Sequence, residues 1–415
     1  KYANILILLR NILSSNEFLD ASRRQPQFFT RDRKLPFATL MAFLLSGIRG
    51  AVQSELDLFF ASLRNQADRT REVCAQAFYK ARHQLRADVF AKLNQQFLSA
   101  IETECPMPRW QGLRIVAADA STVRLTLLDK DKVRKIVDAV TFGLFLPGIE
   151  LCLACTLYPL CCNERQMLFE HLALLRQDDL LVLDRGYPGA WLVAVLSQTR
   201  IPFCIRCDMA STFKIVKEFA RSSLAEAVVT LPAPCRRDAA DYECERVVTQ
   251  VRLIRVIAAN GRSFIVMTSL MDNQAYPAAA FGDIYHARWR IEEAFKRLKH
   301  RLNLEHTSGL SWLSACQDFG AKVVCDNLNA LAAWLAHDDR LAPTGDSYKV
   351  NRTLAFNTLK VQLGRWLLKA MPTTRKVASA LNEIVKNLQQ FRPGREQPRP
   401  SRHKPHKYHS IKPAV

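Results

Sequence analysis

Residues 285–299, YHARWRIEEAFKRLK, decide how this chain is read. At about 100° per residue, Tyr285, Arg288, Glu292, Lys296 and Lys299 fall within roughly 80° of one another on a helix. Ile284, Ile291, Phe295, Leu298 and Leu302 form a second stripe about a quarter turn away. One face suits a core; the other holds one carboxylate among cations. Ordinary solvated helices also mix Glu with Lys and Arg, so the pattern gains meaning from its spacing and from what the rest of the chain supplies. One Glu cannot hold a pair of hard divalent cations, which take oxygen ligands. If Glu292 is catalytic, two more acids are expected at strand ends.

They occur, in order. GLRIVAADASTVRL (112–125) is an apolar run into Asp119, and residues 137–160 give two further strands turned at Pro147 and Gly148. ERQMLFEHLALL (164–175) is a helix, and DLLVLDRGY (179–187) is a buried strand ending in Asp184. Three strands, a crossover helix and a strand beside the first make the ribonuclease H-like arrangement, which would bring Asp119 and Asp184 together. An acid inside strand text is expensive unless it is paired or binds metal. Each acid has a bland reading: Asp119 as a cap before Ser121 and Thr122, Asp184 as a turn residue before Gly186 with Arg185 as its partner. Both at once, in order with the helix of Glu292, favour function.

Composition narrows the class. The chain has 415 residues, 49% hydrophobic, with a formal charge of +20, and a mean hydropathy of −0.08. That is long enough for two or three domains, and the apolar runs are too short or interrupted to span a bilayer. No signal peptide is expected, since ILILL (5–9) meets Arg10 without a small-residue cleavage site. The first residue is Lys1 and not Met, so further residues are expected upstream. The basic balance favours a polyanion, with nucleic acid leading. Cys152/Cys155 and Cys204/Cys207 are CxxC pairs in apolar strand text, which favours buried reduced thiols over zinc.

The expected fold is α+β: a ribonuclease H-like catalytic core interrupted by a β-rich insertion, with a helical N-terminal domain and a helical C-terminal region. Residues 1–108 read as a helical DNA-binding region, with Asn16 and Thr30 as N-caps, Pro36 before a helix start, and Arg23, Arg24, Arg31, Arg33, Lys34, Lys80, Arg82 and Arg86 as its cations. Residues 75–101 read as one helical stretch. Residues 109–195 form the first part of the core, 196–275 the insertion, and 276–340 the second part with the catalytic helix. Residues 341–391 form the helical C-terminal region, with two amphipathic helices over 348–391, and 392–415, basic and proline-rich with a single acid, read as a disordered tail that attracts phosphate.

Tyr285, Arg288, Glu292 and Lys299 resemble the YREK signature of the insertion-sequence-4 type DDE transposases, and RWRIEE (288–293) matches that family closely. Asp119 and the DRGY-like Asp184 match its other acids, Asn163-Glu164-Arg165 resembles its NER element, and FFTRDRKLPF (28–37) resembles its N-terminal portion; the likeness spans roughly residues 25–340. It implies a cut-and-paste transposase. Asp119, Asp184 and Glu292 would be catalytic and hold two Mg²⁺, with Mn²⁺ substituting. Tyr285, Arg288, Lys296 and Lys299 would hold DNA phosphates, and Phe264 would stack on a base. The resemblance further implies a hairpin intermediate, double-stranded transposon-end and target DNA, a homodimer in the synaptic complex, and a prokaryotic, cytoplasmic, nucleoid-associated setting. A nuclease that cuts without joining and a non-catalytic regulator descended from a transposase are the alternatives.

Overall fold

The computed structural model describes residues 1–31, 33–69, 71–207, 213–258, 261–300, 302–340, 348–369 and 372–390. The tail at 392–415 lies outside the described residues.

Six helices come first: α1 (Tyr2–Ser14), α2 (Asn16–Ser22), α3 (Phe37–Leu45), α4 (Val52–Arg64), α5 (Ala75–Arg82) and α6 (Val89–Glu104). The single helical stretch expected over residues 75–101 is two helices, separated where Arg24 and Arg86 hydrogen-bond across to Gln84 and Ser22. The cap of α2 is Ser15, whose hydroxyl accepts from the Phe18 amide, and not Asn16. Among the described residues Thr30 caps no helix, its hydroxyl donating to the Gln27 carbonyl; α3 starts after Pro36, whose fixed φ suits that entry.

A sheet follows. β1 (Arg114–Leu128), β2 (Arg134–Leu146) and β3 (Leu151–Pro159) form an antiparallel meander; α7 (Glu164–His171) crosses over to β4 (Asp179–Leu183), which pairs parallel with β1. After α8 (Ala190–Gln198), β5 (Phe203–Cys207) adds parallel to β4. The expected insertion then supplies α9 (Lys214–Arg221), β6 (Glu226–Leu231), α10 (Arg236–Asp241), β7 (Thr249–Ile257) and β8 (Ser263–Thr268). Its strands extend the same sheet, giving one eight-stranded order β3-β2-β1-β4-β5-β8-β7-β6. Backbone pairing of β5 with β8 carries it across, so the insertion shares the sheet's core.

The stretch around Glu292 is α11 (Phe281–Ala287) and α12 (Trp289–His300), not one unbroken helix. The helix tightens at Arg288, where the Arg288 amide bonds Tyr285 and the Ile291 amide bonds Arg288, each three residues back instead of four. Then α13 (Trp312–Arg340) runs across the meander, packing on β3 and α6. It is buried on several faces, with Gln317, Asp318, Lys322, Asp326, Asn327 and Asn329 among its buried residues, and these polar groups must find partners inside. Three of them do so with long-range partners: Asp318 pairs with Arg82 at 3.0 Å, Asn327 bonds Asn94 and the Cys152 backbone, and the Lys322 ammonium donates to the Asn303 and His306 carbonyls. Arg82, expected among the DNA-facing cations, is therefore a buried strut between the helical domain and α13. The C-terminal region contains β9 (Tyr348–Val350), α14 (Arg352–Leu368), α15 (Thr374–Val385) and β10 (Leu388–Gln390); the β9–β10 pair is an element that helical periodicity does not announce. Cys204 and Cys207 face opposite sides of β5, in different apolar clusters, so they cannot share an ion.

Candidate active site

Two strands and one helix meet at the middle of the sheet. Asp119 lies on β1 opposite Gly143 of β2. The β1–β4 register pairs Arg114 with Asp179 and Ala117 with Val182; extended by two residues, it sets Asp184 level with Asp119 on a neighbouring strand about 4.8 Å away. Asp184 caps its own turn, accepting from the Gly186 amide at 2.7 Å. A Cβ at Gly186 would stand 3.0 Å from that carboxylate oxygen, so the turn suits a residue without one. α12 brings Glu292 over the same point by packing Ile291, Ala294, Phe295 and Leu298 on β1 and β2. Gly143 makes the approach possible, since a Cβ there would come within 3.2 Å of the Phe295 ring.

Arg288 ties the helix to the strand. Its Nη1 lies 3.6 Å from Asp119 Oδ2 and its Nη2 3.1 Å from Glu292 Oε1. The residue is only 5% exposed, yet Nε and Nη1 lack a hydrogen-bond acceptor among the described residues. The guanidinium lies over the buried Tyr285 ring, 5.7 Å from its centre. Burial works against the Arg288 charge, but Tyr285, Asp119, Asp184 and Glu292 more than offset it and hold the group charged. Burial raises the Asp119 carboxyl most; Arg288 opposes it, and Glu164, Asp184 and Glu292 push the same way as burial, so its pKa is pushed up to about 7.

Glu164, the first residue of α7, is the member that sequence reasoning missed. It was legible only as part of the NER run, yet its carboxylate accepts from the Tyr187 hydroxyl at 2.6 Å and from the Ala120 amide. Burial and Asp184 raise its pKa. Tyr187 is fully buried, three residues after Asp184.

The remaining expected residues divide. The Lys299 ammonium reaches β1, donating to Ser121 Oγ at 2.8 Å and to the Thr122 carbonyl at 2.6 Å; burial lowers its pKa. Lys296 points away from Glu292 and pairs with Glu293 at 2.6 Å, both well exposed. Phe264 does not project as a free platform: it lies on β8, packed 5.2 Å from the Tyr285 ring and under Arg206 at 4.9 Å.

Four oxygen-donor carboxylates, of which Asp119 and Glu164 have pKa values raised first by burial and then by acidic neighbours, are the donor set that a hard divalent cation takes. Among the described residues, no three His, Cys, Asp or Glu stand spaced to hold an ion together. The positive charge of Arg288 sits between Asp119 and Glu292. The chemistry of the site fits a cation; its spacing requires Arg288 to give way.

Residues 162–328 match the family model of the transposase DDE domain. The DDE segment holds Glu164, Asp184, Arg288, Glu292 and Lys299, while Asp119 lies outside it. Among solved structures, the chain is similar to piggyBac transposase in a synaptic complex with hairpin DNA, with a TM-score of 0.42, 10% identity, and 94% of this chain and 87% of that chain covered. No match is found among curated proteins. Among the described residues, no helix is long and apolar enough to cross a membrane.

Proposed function

We propose that this chain is a DNA transposase of the insertion-sequence-4 type, which excises its element and joins it to target DNA. The observation that carries the reading is the meeting of Asp119, Asp184 and Glu292, from two strands and a helix, around one buried arginine. The match to the transposase DDE domain over residues 162–328 supports it, as does the formal charge of +20, which suits a phosphate polyanion. A ribonuclease H-like core agrees with the order of three antiparallel strands followed by two parallel ones.

The reaction is an in-line displacement at phosphorus. A water oxygen forms a new P–O bond as the P–O3′ bond breaks, leaving a 3′-hydroxyl on the element's end; that hydroxyl then attacks the opposite strand, closing a hairpin as the P–O3′ bond to the flanking DNA breaks, and a second water reopens the hairpin to restore the 3′-hydroxyl that attacks a target phosphodiester and displaces its 3′-oxygen. Asp119, Asp184 and Glu292 would hold two Mg²⁺ or Mn²⁺ ions. Such ions supply Lewis acidity to the attacking and leaving oxygens. The other parts are the chain's own. Arg288, drawn from between the acids, gives a phosphate two parallel donors, whereas Lys299 gives a point charge on the Asp119 strand. Phe264, packed between Tyr285 and Arg206, would have to leave that stack to take up an unpaired base at the hairpin. A dimer on paired ends completes the proposal.

The test compares neighbours on one helix. Glu292→Ala should abolish nicking of the element's own end in Mg²⁺ while leaving end binding in place. Glu293→Ala, which loses an exposed pair with Lys296, should keep most activity. A dead Glu293→Ala beside an active Glu292→Ala would overturn the assignment.

A further inference from the structure

We propose that Glu164 is a fourth carboxylate of this site: a positioning residue that braces the Asp119 strand against the Asp184 turn, and a negative charge that helps to draw in the divalent cations. The inference rests on the reading of Asp119, Asp184 and Glu292 as a cation site.

A Glu in the first turn of a helix has an ordinary explanation, since it complements the helix dipole. Here the capping work is done by the preceding residue: Asn163 Oδ1 accepts from the Arg165 amide at 2.9 Å. The Glu164 side chain turns inward. One partner is the Tyr187 hydroxyl at 2.6 Å, on the turn that follows Asp184; the other is the amide of Ala120, next to Asp119. Arg165 adds a second strut to the same turn, its Nε donating to the Gly186 carbonyl at 2.9 Å. Consecutive residues of α7 thus fix the loop that carries one acid, and the first of them also fixes the strand that carries another.

The charge is the informative part. A glutamine could accept from Tyr187 just as well, without repulsion from its neighbours. Glu164 instead sets a carboxylate against the Tyr187 hydroxyl, on the turn whose Gly186 amide the Asp184 carboxylate holds. A carboxylate at this position costs stability while the site is empty of cations and returns it only when positive charge arrives. Supporting residues of this kind commonly change metal affinity by about 10–100-fold when replaced.

The experiment measures Mn²⁺ binding to the full chain by the electron paramagnetic resonance signal of free Mn²⁺, with and without a short blunt duplex, alongside thermal unfolding in chelator at pH 8. Glu164→Gln should weaken Mn²⁺ binding by about tenfold or more, with a metal-free Tm equal to or above that of the wild type. Tyr187→Phe, which keeps the charge and removes the brace, should weaken Mn²⁺ binding as well. Unchanged Mn²⁺ affinity in Glu164→Gln, or an affinity loss matched by a fall in Tm, would overturn the inference. Asp184→Asn is the control that separates the two claims. Binding lost in Asp184→Asn but kept in Glu164→Gln sinks only the role of Glu164. Binding kept in Asp184→Asn, or absent from the wild type, sinks the cation site and this inference with it.

Discussion

Replacing Asp119 with Asn should stabilise the cation-free chain, and by more as the pH rises. The Asp119 carboxyl stands at about 7 against an ordinary 3.8, because burial and the charges of Glu164, Asp184 and Glu292 outweigh the help of Arg288. The folded chain therefore holds this proton more tightly than the unfolded chain does. The stability due to that proton is fully present below about pH 4 and is lost as the pH climbs to about 7. The gap of about 3 pH units, at about 1.4 kcal/mol each, amounts to about 4 kcal/mol. Asn carries no proton to lose. Its advantage over Asp should be about 1–2 kcal/mol at pH 5 and about 4 kcal/mol at pH 8. Urea unfolding of both proteins in chelator at the two pH values measures the difference directly. An advantage that stays flat or shrinks between pH 5 and pH 8 would show that Asp119 is not held protonated by its neighbours. Mn²⁺ should reverse the order, stabilising the wild type and not the variant.

Arg288→Ala should bind Mn²⁺ more tightly than the wild type when DNA is absent, since the internal cation between Asp119 and Glu292 is gone, yet form less hairpin on a pre-nicked end; equal Mn²⁺ affinities in a calorimetric titration would count against Arg288 as the group that gives way. Gly143→Val should lower stability by about 1–3 kcal/mol and activity with it, because its side chain meets Phe295 on the helix of Glu292; an unchanged Tm with full activity would refute the close approach. Arg82→Ala should cost about 3–5 kcal/mol in urea unfolding by stranding the buried Asp318, and a loss under 1 kcal/mol would leave Arg82 free to be a DNA contact after all.

The centre of the site was legible because its residues break local rules. Asp119 and Asp184 stand in otherwise apolar strand text, and Glu292 sits on an amphipathic helix whose apolar stripe fixes its facing. Register did the rest, since strand order follows from a meander and one crossover. What periodicity could not reach were contacts set by tertiary structure. Glu164 looks like any first-turn Glu until Tyr187 and Ala120 fold against it. Arg82 looks like one more surface cation until α13 supplies Asp318 and Gln317. Lys296 shares a stripe with Glu292 on an ideal wheel, but its long side chain swings to Glu293 three residues away. The break at Arg288 is invisible too, for neither Gly nor Pro marks it. The insertion reads as strands, but only pairing of β5 with β8 shows that those strands continue the sheet that carries Asp119.

The most direct measurement is joining itself. Purified chain, a plasmid carrying the element's own two ends, a target plasmid and Mg²⁺ are incubated, and junctions between the ends and the target are sequenced. The wild type should yield junctions that begin at the 3′-hydroxyl ends of the element, and chelator, Asp119→Ala, Asp184→Ala and Glu292→Ala should each remove them. Junctions that persist in Asp184→Ala, or DNA cut by the wild type without any joined product, would contradict a transposase built on these three acids.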